Sequence, residues 1–283
     1  MSVESRVTSR DGTSIAFERV GAGPALILVD AAGNYRDFRP LRAPVERLAA
    51  DFTVYAYDRR GRGASTDALA YAVEREVDDL AALIAEAGGS AFVYAMSSGS
   101  LLALHAAAGG LAIPKLALFE PPIEPDEAPS GETDFTHELA GLVAAGRRRD
   151  AVAFFHRGIG VPEEVMAQMT PPVWAALEAV AHTLVYDCRI SDATSLELLG
   201  SVRAPSLVID SQGSGGASTA SGSHQSGSGS TSGCRCIRCC RRSSGLAARC
   251  AQYGQGSPSG TLVSSQERAD LALLPREADG YSR

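Results

Sequence analysis

The sequence predicts an α/β protein built on a mostly parallel sheet with helices on both faces. Several apolar runs, each as long as one buried strand, alternate along the chain with segments of helical periodicity. Strands covered on both faces lack the apolar–polar alternation of half-exposed strands, so unbroken apolar runs favour parallel pairing. A length of 283 residues and a hydrophobic fraction of 45% suffice for one large domain with a sizeable core.

The composition argues against several classes of protein. A net charge of −7 disfavours nucleic acid as a partner. No run of 18 apolar residues is present, which disfavours a membrane span. The first twelve residues lack the apolar centre of a signal peptide. We therefore expect a cytoplasmic protein with neither a nucleic-acid nor a membrane partner.

The N-terminal quarter of the chain contains the first predicted strands. Val3–Arg10 and Thr13–Val20 alternate apolar and polar residues around an Asp-Gly turn, which predicts an antiparallel hairpin. The apolar runs Ala25–Asp30 and Phe52–Tyr57 predict the first parallel strands. Between them, Asp37–Ala50 predicts a helix with an irregular start at its prolines.

A second helix is predicted over residues 73–87. Its apolar residues recur at helical spacing, and a glycine pair follows as a stop signal. Its acidic residues fall at the remaining positions of the pattern: Glu74, Glu76, Asp78, Asp79 and Glu86. This helix is expected to cover the sheet with its apolar side.

Residues 91–108 contain the most informative motif. Ala91–Ala95 predicts a buried strand and Leu101–Ala108 a buried helix, and Ser97 lies between them with small residues two positions away on each side. This is the spacing of a nucleophile elbow, Gly-x-Ser-x-Gly, with Ala95 at the first glycine position. Such a turn strains the serine backbone and presents Ser97 Oγ to the positive end of a helix dipole. Taken alone, the motif also fits a small-residue turn in any α/β fold.

The motifs around the elbow follow a recognisable order. Strand 52–57 leads into Asp-Arg-Arg-Gly-Arg-Gly-Ala-Ser at residues 58–65, and a helix, a strand and the elbow follow. This order resembles the α/β-hydrolase superfamily across residues 3–210, especially its capped esterase, dehalogenase and peroxidase-like members. The resemblance implies an α/β-hydrolase fold with a helical cap, a serine nucleophile and no cofactor or metal. It also implies that loop 58–65 braces the elbow.

The resemblance assigns roles to further residues. The backbone N–H groups of Ala32 and Ser98 take the positions of the oxyanion hole, although the usual His-Gly before the first donor is absent. Glu120, after the strand Lys115–Phe119, takes the position of the catalytic acid in some members. Asp210, at the end of strand 204–210, is the second choice. An ordinary polar loop at Ala32 and a loop-capping role for Glu120 are the alternatives.

Residues 121–200 are expected to form the helical cap, inserted into a core of residues 1–210. The segment contains several helix-like pieces and no series of strands. Its larger apolar residues either line a substrate pocket or form the core of the cap. They are Phe154, Phe155, Met166, Met169, Trp174 and Leu177.

The pattern changes abruptly near residue 211. The resemblance implies one more strand, a histidine loop and a final helix, but residues 211–283 are rich in serine and glycine and contain five of the six cysteines. We expect this low-complexity tail to lack a stable core and to be disordered. The C-terminal strand and helix of the fold are then missing, and a shifted reading frame near residue 211 is a hypothesis for their loss.

No histidine stands where the resemblance places the catalytic base. His224 lies in the Ser/Gly tract, and the others, His105, His137, His156 and His182, fall in the elbow helix or the cap. We predict a serine hydrolase for an ester or similar small acyl substrate, weakened by loss of its base. One alternative is a non-catalytic, hydrolase-like binding protein. Another is an inert scaffold carrying a metal-binding tail, with ligands from Cys234, Cys236, Cys239 and Cys240.

Overall fold

A sheet of seven strands runs through the chain. The computed structural model describes residues 4–37, 42–68, 70–123 and 133–209. The strands are β1 (Ser5–Thr8), β2 (Ser14–Val20), β3 (Ala25–Val29), β4 (Thr53–Tyr57), β5 (Phe92–Met96), β6 (Leu116–Phe119) and β7 (Ser206–Ile209). They lie in the order β1-β2-β4-β3-β5-β6-β7. β2 is antiparallel to β1 and β4, and all other pairs are parallel. The predicted hairpin and mostly parallel sheet are confirmed.

Helices cover both faces of the sheet, which explains the apolar sequences of its central strands. Ile27 and Val29 of β3 belong to one apolar cluster, together with residues of α2 (Val73–Glu86) and α3 (Ser98–Ala108). Leu26 and Leu28 of the same strand belong to a second cluster with α1 (Arg42–Leu48). Successive residues of a strand point to opposite faces, so one apolar strand supplies both cores. The described helix α1 is shorter than the predicted Asp37–Ala50.

Between β6 and β7 the described residues form six helices, at the position predicted for the cap. They are α4 (Thr133–Ala144), α5 (Arg148–Gly158), α6 (Glu163–Ala167), α7 (Pro171–Ala179), α8 (Leu184–Asp192) and α9 (Leu196–Ser201), with a 3-10 turn at Ala181–Thr183 before α8. Phe155, Met166, Trp174 and Leu177 are buried in the apolar core of the cap, and Phe154 and Met169 pack against it. These side chains therefore hold the cap together. Within the described residues, no helix is long and apolar enough to cross a membrane.

Several sequence predictions concern residues that lie outside the described ranges. They are the second-choice acid Asp210, His224, the cysteine cluster Cys234–Cys240, and the tail over residues 211–283 as a whole. These predictions remain as stated from the sequence.

Candidate active site

The turn between β5 and α3 has the strained geometry that the motif predicts. Ser97 has φ 49° and ψ −126°, and α3 begins at the next residue. A positive φ is uncommon outside glycine and typically costs about 1–3 kcal/mol. Among the described residues, Glu120 is the only other non-glycine residue with a positive φ. The sharp strand-to-helix turn is thus present, while the nucleophilic role of Ser97 stays a prediction.

Gly99 explains why the elbow needs a small residue after the serine. A Cβ atom added there would lie 2.5 Å from the carbonyl oxygen of Asp30 and 2.7 Å from that of Val29. Both atoms belong to the backbone and cannot rotate away. α3 therefore packs on the end of β3 at a distance that only glycine allows. Ala95, on the other side of the serine, is fully buried.

The residues predicted from the sequence gather at one edge of the sheet. β5 lies between β3 and β6, and the carboxyl ends of all three strands point the same way. The N–H of Ser97 donates to the carbonyl oxygen of Phe119 at 2.8 Å. Neighbouring strands lie about 4.8 Å apart, so Glu120 follows its strand directly beside Ser97. The loop bearing Ala32 follows β3 on the other side.

Glu120 is fixed by its backbone. Its N–H donates to the carbonyl oxygen of Ile209 at 2.9 Å, and its φ is 47°. Burial and the Glu120 carboxylate together raise the pKa of Tyr94 to about 12. The carboxylate therefore lies within electrostatic range of the Tyr94 hydroxyl. Whether Glu120 acts as the catalytic acid stays a prediction.

Hydrogen bonds made by the side chains of Asp30, Asn34 and Arg62 hold the loop that carries Ala32. Asp30 Oδ1 accepts from the N–H of Ala31 at 2.6 Å and from Asn34 Nδ2 at 3.2 Å. Arg62 Nη1 donates to the Ala31 carbonyl oxygen at 2.8 Å. Among the described residues, no acceptor is found for the N–H groups of Ala32 and Ser98. The role of these two donors as an oxyanion hole stays a prediction.

The loop at residues 58–65, called here the arginine loop, contains three almost fully buried arginines. Arg59 forms a two-point ion pair with Glu76, with both distances 2.8 Å, and Arg60 forms one with Asp79 at 2.8 and 2.7 Å. Arg62 pairs with Asp187 of α8 at 2.6 Å. Every arginine of the loop thus has a carboxylate partner within the chain. The pairing fits the bracing role that the resemblance implies.

Three partners of this loop were not recognised from the sequence. Glu76 and Asp79 were placed among the acidic residues outside the apolar pattern of α2, yet each is only 1% exposed. Asp187 lies in the cap, 125 residues from Arg62, and was not singled out. The one signal in the sequence for these carboxylates is the arginine loop, because arginines that are buried in a fold require buried carboxylates as partners.

None of the four histidines in the described ranges hydrogen-bonds to Ser97. His105 Nε2 contacts Thr194 Oγ1 at 3.0 Å, and His156 Nδ1 contacts the Val152 carbonyl oxygen at 2.8 Å. His182 Nε2 lies 3.3 Å from Asp67 Oδ2. His137 is exposed on α4. Within these ranges there is also no group of three His, Cys, Asp or Glu side chains that could hold a metal ion.

Comparison with known proteins agrees with this geometry. The sequence model of the Alpha/beta hydrolase family matches residues 22–227. An alpha/beta hydrolase from Sphaerobacter thermophilus is 51% identical, with a TM-score of 0.66, over 76% of this chain and 83% of that one. No match was found among curated proteins.

Two more distant structures share the fold. A thermophilic esterase from Thermogutta terrifontis is 23% identical, with a TM-score of 0.57, over 74% of this chain and 79% of that one. The enol-lactonase from Burkholderia xenovorans is 22% identical, with a TM-score of 0.54, over 73% and 80%. The strand order, the strained turn after β5 and the family match lead to one conclusion: this chain belongs to the alpha/beta hydrolase family.

Proposed function

We propose that the protein is a serine hydrolase for esters or similar small acyl substrates, with Ser97 as its nucleophile. The observation that carries this proposal is the strained backbone of Ser97 at the start of α3. Strain of this kind persists where the surroundings enforce it, and it is concentrated at functional sites. The proposal is also supported by the order of the strands, because the Ala32 loop and Ser98 follow the neighbouring strands β3 and β5 at the same edge of the sheet.

In the proposed reaction, Ser97 Oγ bonds to the substrate carbonyl carbon while the Oγ proton passes to a base. The N–H groups of Ala32 and Ser98 stabilise the negative charge on the carbonyl oxygen, and the alcohol then leaves with a proton. Water hydrolyses the resulting acyl-enzyme. Glu120 is the proposed acid that would orient a histidine base, with Asp210 as the second choice.

The missing step is proton removal from Ser97. None of the described histidines hydrogen-bonds to it, and His224 lies outside the described residues. Without a base, a serine hydroxyl is a weak nucleophile. Hydrolases that lose a triad member retain roughly 10³–10⁴-fold acceleration over water from the oxyanion hole and binding. We therefore expect slow turnover.

A fluorophosphonate probe tests the nucleophile directly, because reaction forms an Oγ–P bond and releases fluoride with the Oγ proton. Labelling is expected to be slow, because no described histidine hydrogen-bonds to Ser97, and peptide mass spectrometry after prolonged incubation should locate the adduct on Ser97. Ser97→Ala should abolish labelling, whereas the matched variant Ser100→Ala, one helical turn away, should retain it. Labelling that persists in Ser97→Ala, or is absent from the parent protein, contradicts the proposal.

A non-catalytic binding protein is the second candidate, favoured by the lack of a histidine hydrogen-bonded to Ser97 among the described residues. Steady-state hydrolysis of a small aryl ester separates the two candidates. In the chain as it stands, Ser97→Ala should lower the slow turnover only slightly. Adding a C-terminal strand and histidine loop of the kind that the family resemblance implies should raise turnover and make the same substitution severe. If the addition changes nothing, the binding role is favoured.

A further inference from the structure

Asp187 is a fully buried carboxylate at the meeting point of the cap and the elbow. It accepts hydrogen bonds from Ser98 Oγ at 2.7 Å, Arg59 Nη1 at 2.7 Å and Arg62 Nη2 at 2.6 Å. Burial opposes its ionisation, but the charges of Arg62 and Arg59 outweigh that effect and hold the pKa of Asp187 below its ordinary value. Asp187 is therefore a permanent anion at neutral pH.

Four buried charged groups, including Asp187, are joined by hydrogen bonds. Two arginines, Arg59 and Arg62, face two carboxylates, Glu76 and Asp187, and all four side chains are at most 2% exposed. Buried charges are stable only when they are paired and hydrogen-bonded. Neutralising Asp187 would leave two guanidinium groups with a single carboxylate between them. The cluster therefore fixes Asp187 in place.

Asp187 connects to both proposed oxyanion donors. On one side its carboxylate holds Ser98 through the side-chain hydroxyl. On the other side it holds Arg62, whose Nη1 donates to the carbonyl of Ala31, directly before Ala32. One carboxylate thus ties together two loops that approach the site from different strands.

The helix that carries Asp187, α8, packs against both the cap and the core of the sheet. Ile190 of α8 is buried in the apolar cluster between the sheet and its helices, whereas Leu184 and Cys188 are buried in the cluster of the cap. Leu184 also lies against Gly33 in the Ala32 loop. α4 also packs on α8, with its Leu139 buried in the cluster of the cap, and Thr136 of α4 adds an exposed hydrogen bond of 2.9 Å to Asp192.

We propose that Asp187 is a positioning residue that sets the spacing of the two oxyanion donors, and that α8 anchors the cap to the core. The part of this proposal that concerns the donors rests on the proposed function; the part that concerns α8 does not.

The test compares Asp187→Asn and Ser98→Ala with the control Thr136→Ala, which removes an exposed contact of the same helix. Ser98→Ala preserves every charge, so it remains informative if Asp187→Asn fails to fold. Fluorophosphonate labelling of Ser97 is measured over a range of probe concentrations. We expect the maximal labelling rate to fall by about tenfold in Ser98→Ala, below the cost of deleting a donor outright. The half-saturating concentration and the control should be unchanged.

Hydrogen exchange of the full chain provides the second measurement. Amides of α8 should be protected as well as those of the central strands and better than those of α6, and Ser98→Ala should speed their exchange by about tenfold. Labelling and exchange that are both unchanged in Ser98→Ala overturn the proposal. If the parent protein is not labelled at Ser97, the proposed function fails instead, and α8 exchange alone decides whether the cap is anchored.

Discussion

The arginine loop and the elbow (residues 95–100) lie beside each other at the sheet edge and are built in opposite ways. The elbow uses small residues, a glycine in close contact with β3, and a strained serine. The arginine loop uses large charged side chains, each buried against a carboxylate. Steric fit therefore fixes one segment, and paired charge fixes the other.

The two segments also differ in how far along the chain their contacts reach. The steric requirement of the elbow is local, because a side chain at Gly99 would meet only the end of one adjacent strand. The arginine loop is non-local, because Arg59 takes partners 17 and 128 residues away. A defect in the loop should therefore affect α2, α3 and α8 together, whereas a defect in the elbow should disturb mainly the contact between α3 and β3.

Removing one charge from the loop is expected to have the largest effect. Arg59→Met leaves Glu76 and Asp187 each short of a partner inside the protein, and breaking a buried pair typically costs about 3–5 kcal/mol. Urea unfolding at pH 7 measures the loss. The control Arg147→Met removes an exposed pair with Asp150 and should change little. Equal effects of the two substitutions would contradict the buried-charge explanation.

Crowding the elbow is expected to cost somewhat less. Gly99→Ala places a methyl group against two backbone oxygens, so α3 must shift away from β3, at a cost of about 3 kcal/mol. Gly141→Ala in α4 is the matched control, since a Cβ there meets nothing within 4 Å. The control should stabilise the protein by about 0.5–1 kcal/mol through helix propensity. Tolerance of both alanines would refute the steric account.

Asp30 lies between the two segments. The pH dependence of the stability that it contributes tests the effect of burying a carboxylate that lacks a paired arginine within the described part of the chain. Burial raises the pKa of Asp30 to about 6, against hydrogen bonds from Ala31 and Asn34 and the charges of Arg62 and Arg59. Its Oδ2 is buried without a hydrogen-bond partner among the described residues. Because the folded-state pKa exceeds the unfolded value, ionisation of Asp30 disfavours folding. The stability it contributes is present below pH 4 and is lost as the pH rises through 6.

Asp30→Asn should remove this dependence. Asparagine keeps an oxygen for the Ala31 N–H, so the variant should match the parent protein at pH 4 and exceed its unfolding free energy by about 1–3 kcal/mol at pH 8. Chemical denaturation at several pH values measures the difference, with the exposed Asp51→Asn as the control. A difference between variant and parent that does not vary with pH rules out the titration of Asp30.

Relief of strain at Ser97 should give the smallest change. Ser97→Gly accepts φ 49° without steric cost and should raise stability by about 1 kcal/mol. Ser97→Ala keeps the strain and should leave stability unchanged. Thermal unfolding of both variants makes the comparison. A glycine variant no more stable than the alanine variant would show that the elbow is not strained.

The contrast between the two segments also explains what the sequence could predict. The hairpin, the parallel strands and the elbow turn follow from periodicity and spacing, which are local properties, whereas the cap was predicted from the family resemblance. Asp187, Glu76 and Asp79 could not be assigned to the site, because their burial depends on side chains brought close by the fold. The same limit applies to the catalytic base. The resemblance implies where a histidine should lie in the sequence, but no histidine among the described residues hydrogen-bonds to Ser97.

The hydrogen bond from the Glu120 N–H to Ile209 has a consequence for the order in which the protein assembles during synthesis. β6 pairs with β7 from Leu116↔Ser206 onward, so the ribosome must complete the whole cap before Glu120 acquires that acceptor. Closure of a long loop opposes early pairing of such distant segments. β3 pairs with β4 and with β5, so these three strands can pair with one another before β6 is complete, and N-terminal segments fold first during translation. The turn at Ser97 is therefore expected to form on the nascent chain before β7 has been synthesised and can accept the hydrogen bond from Glu120.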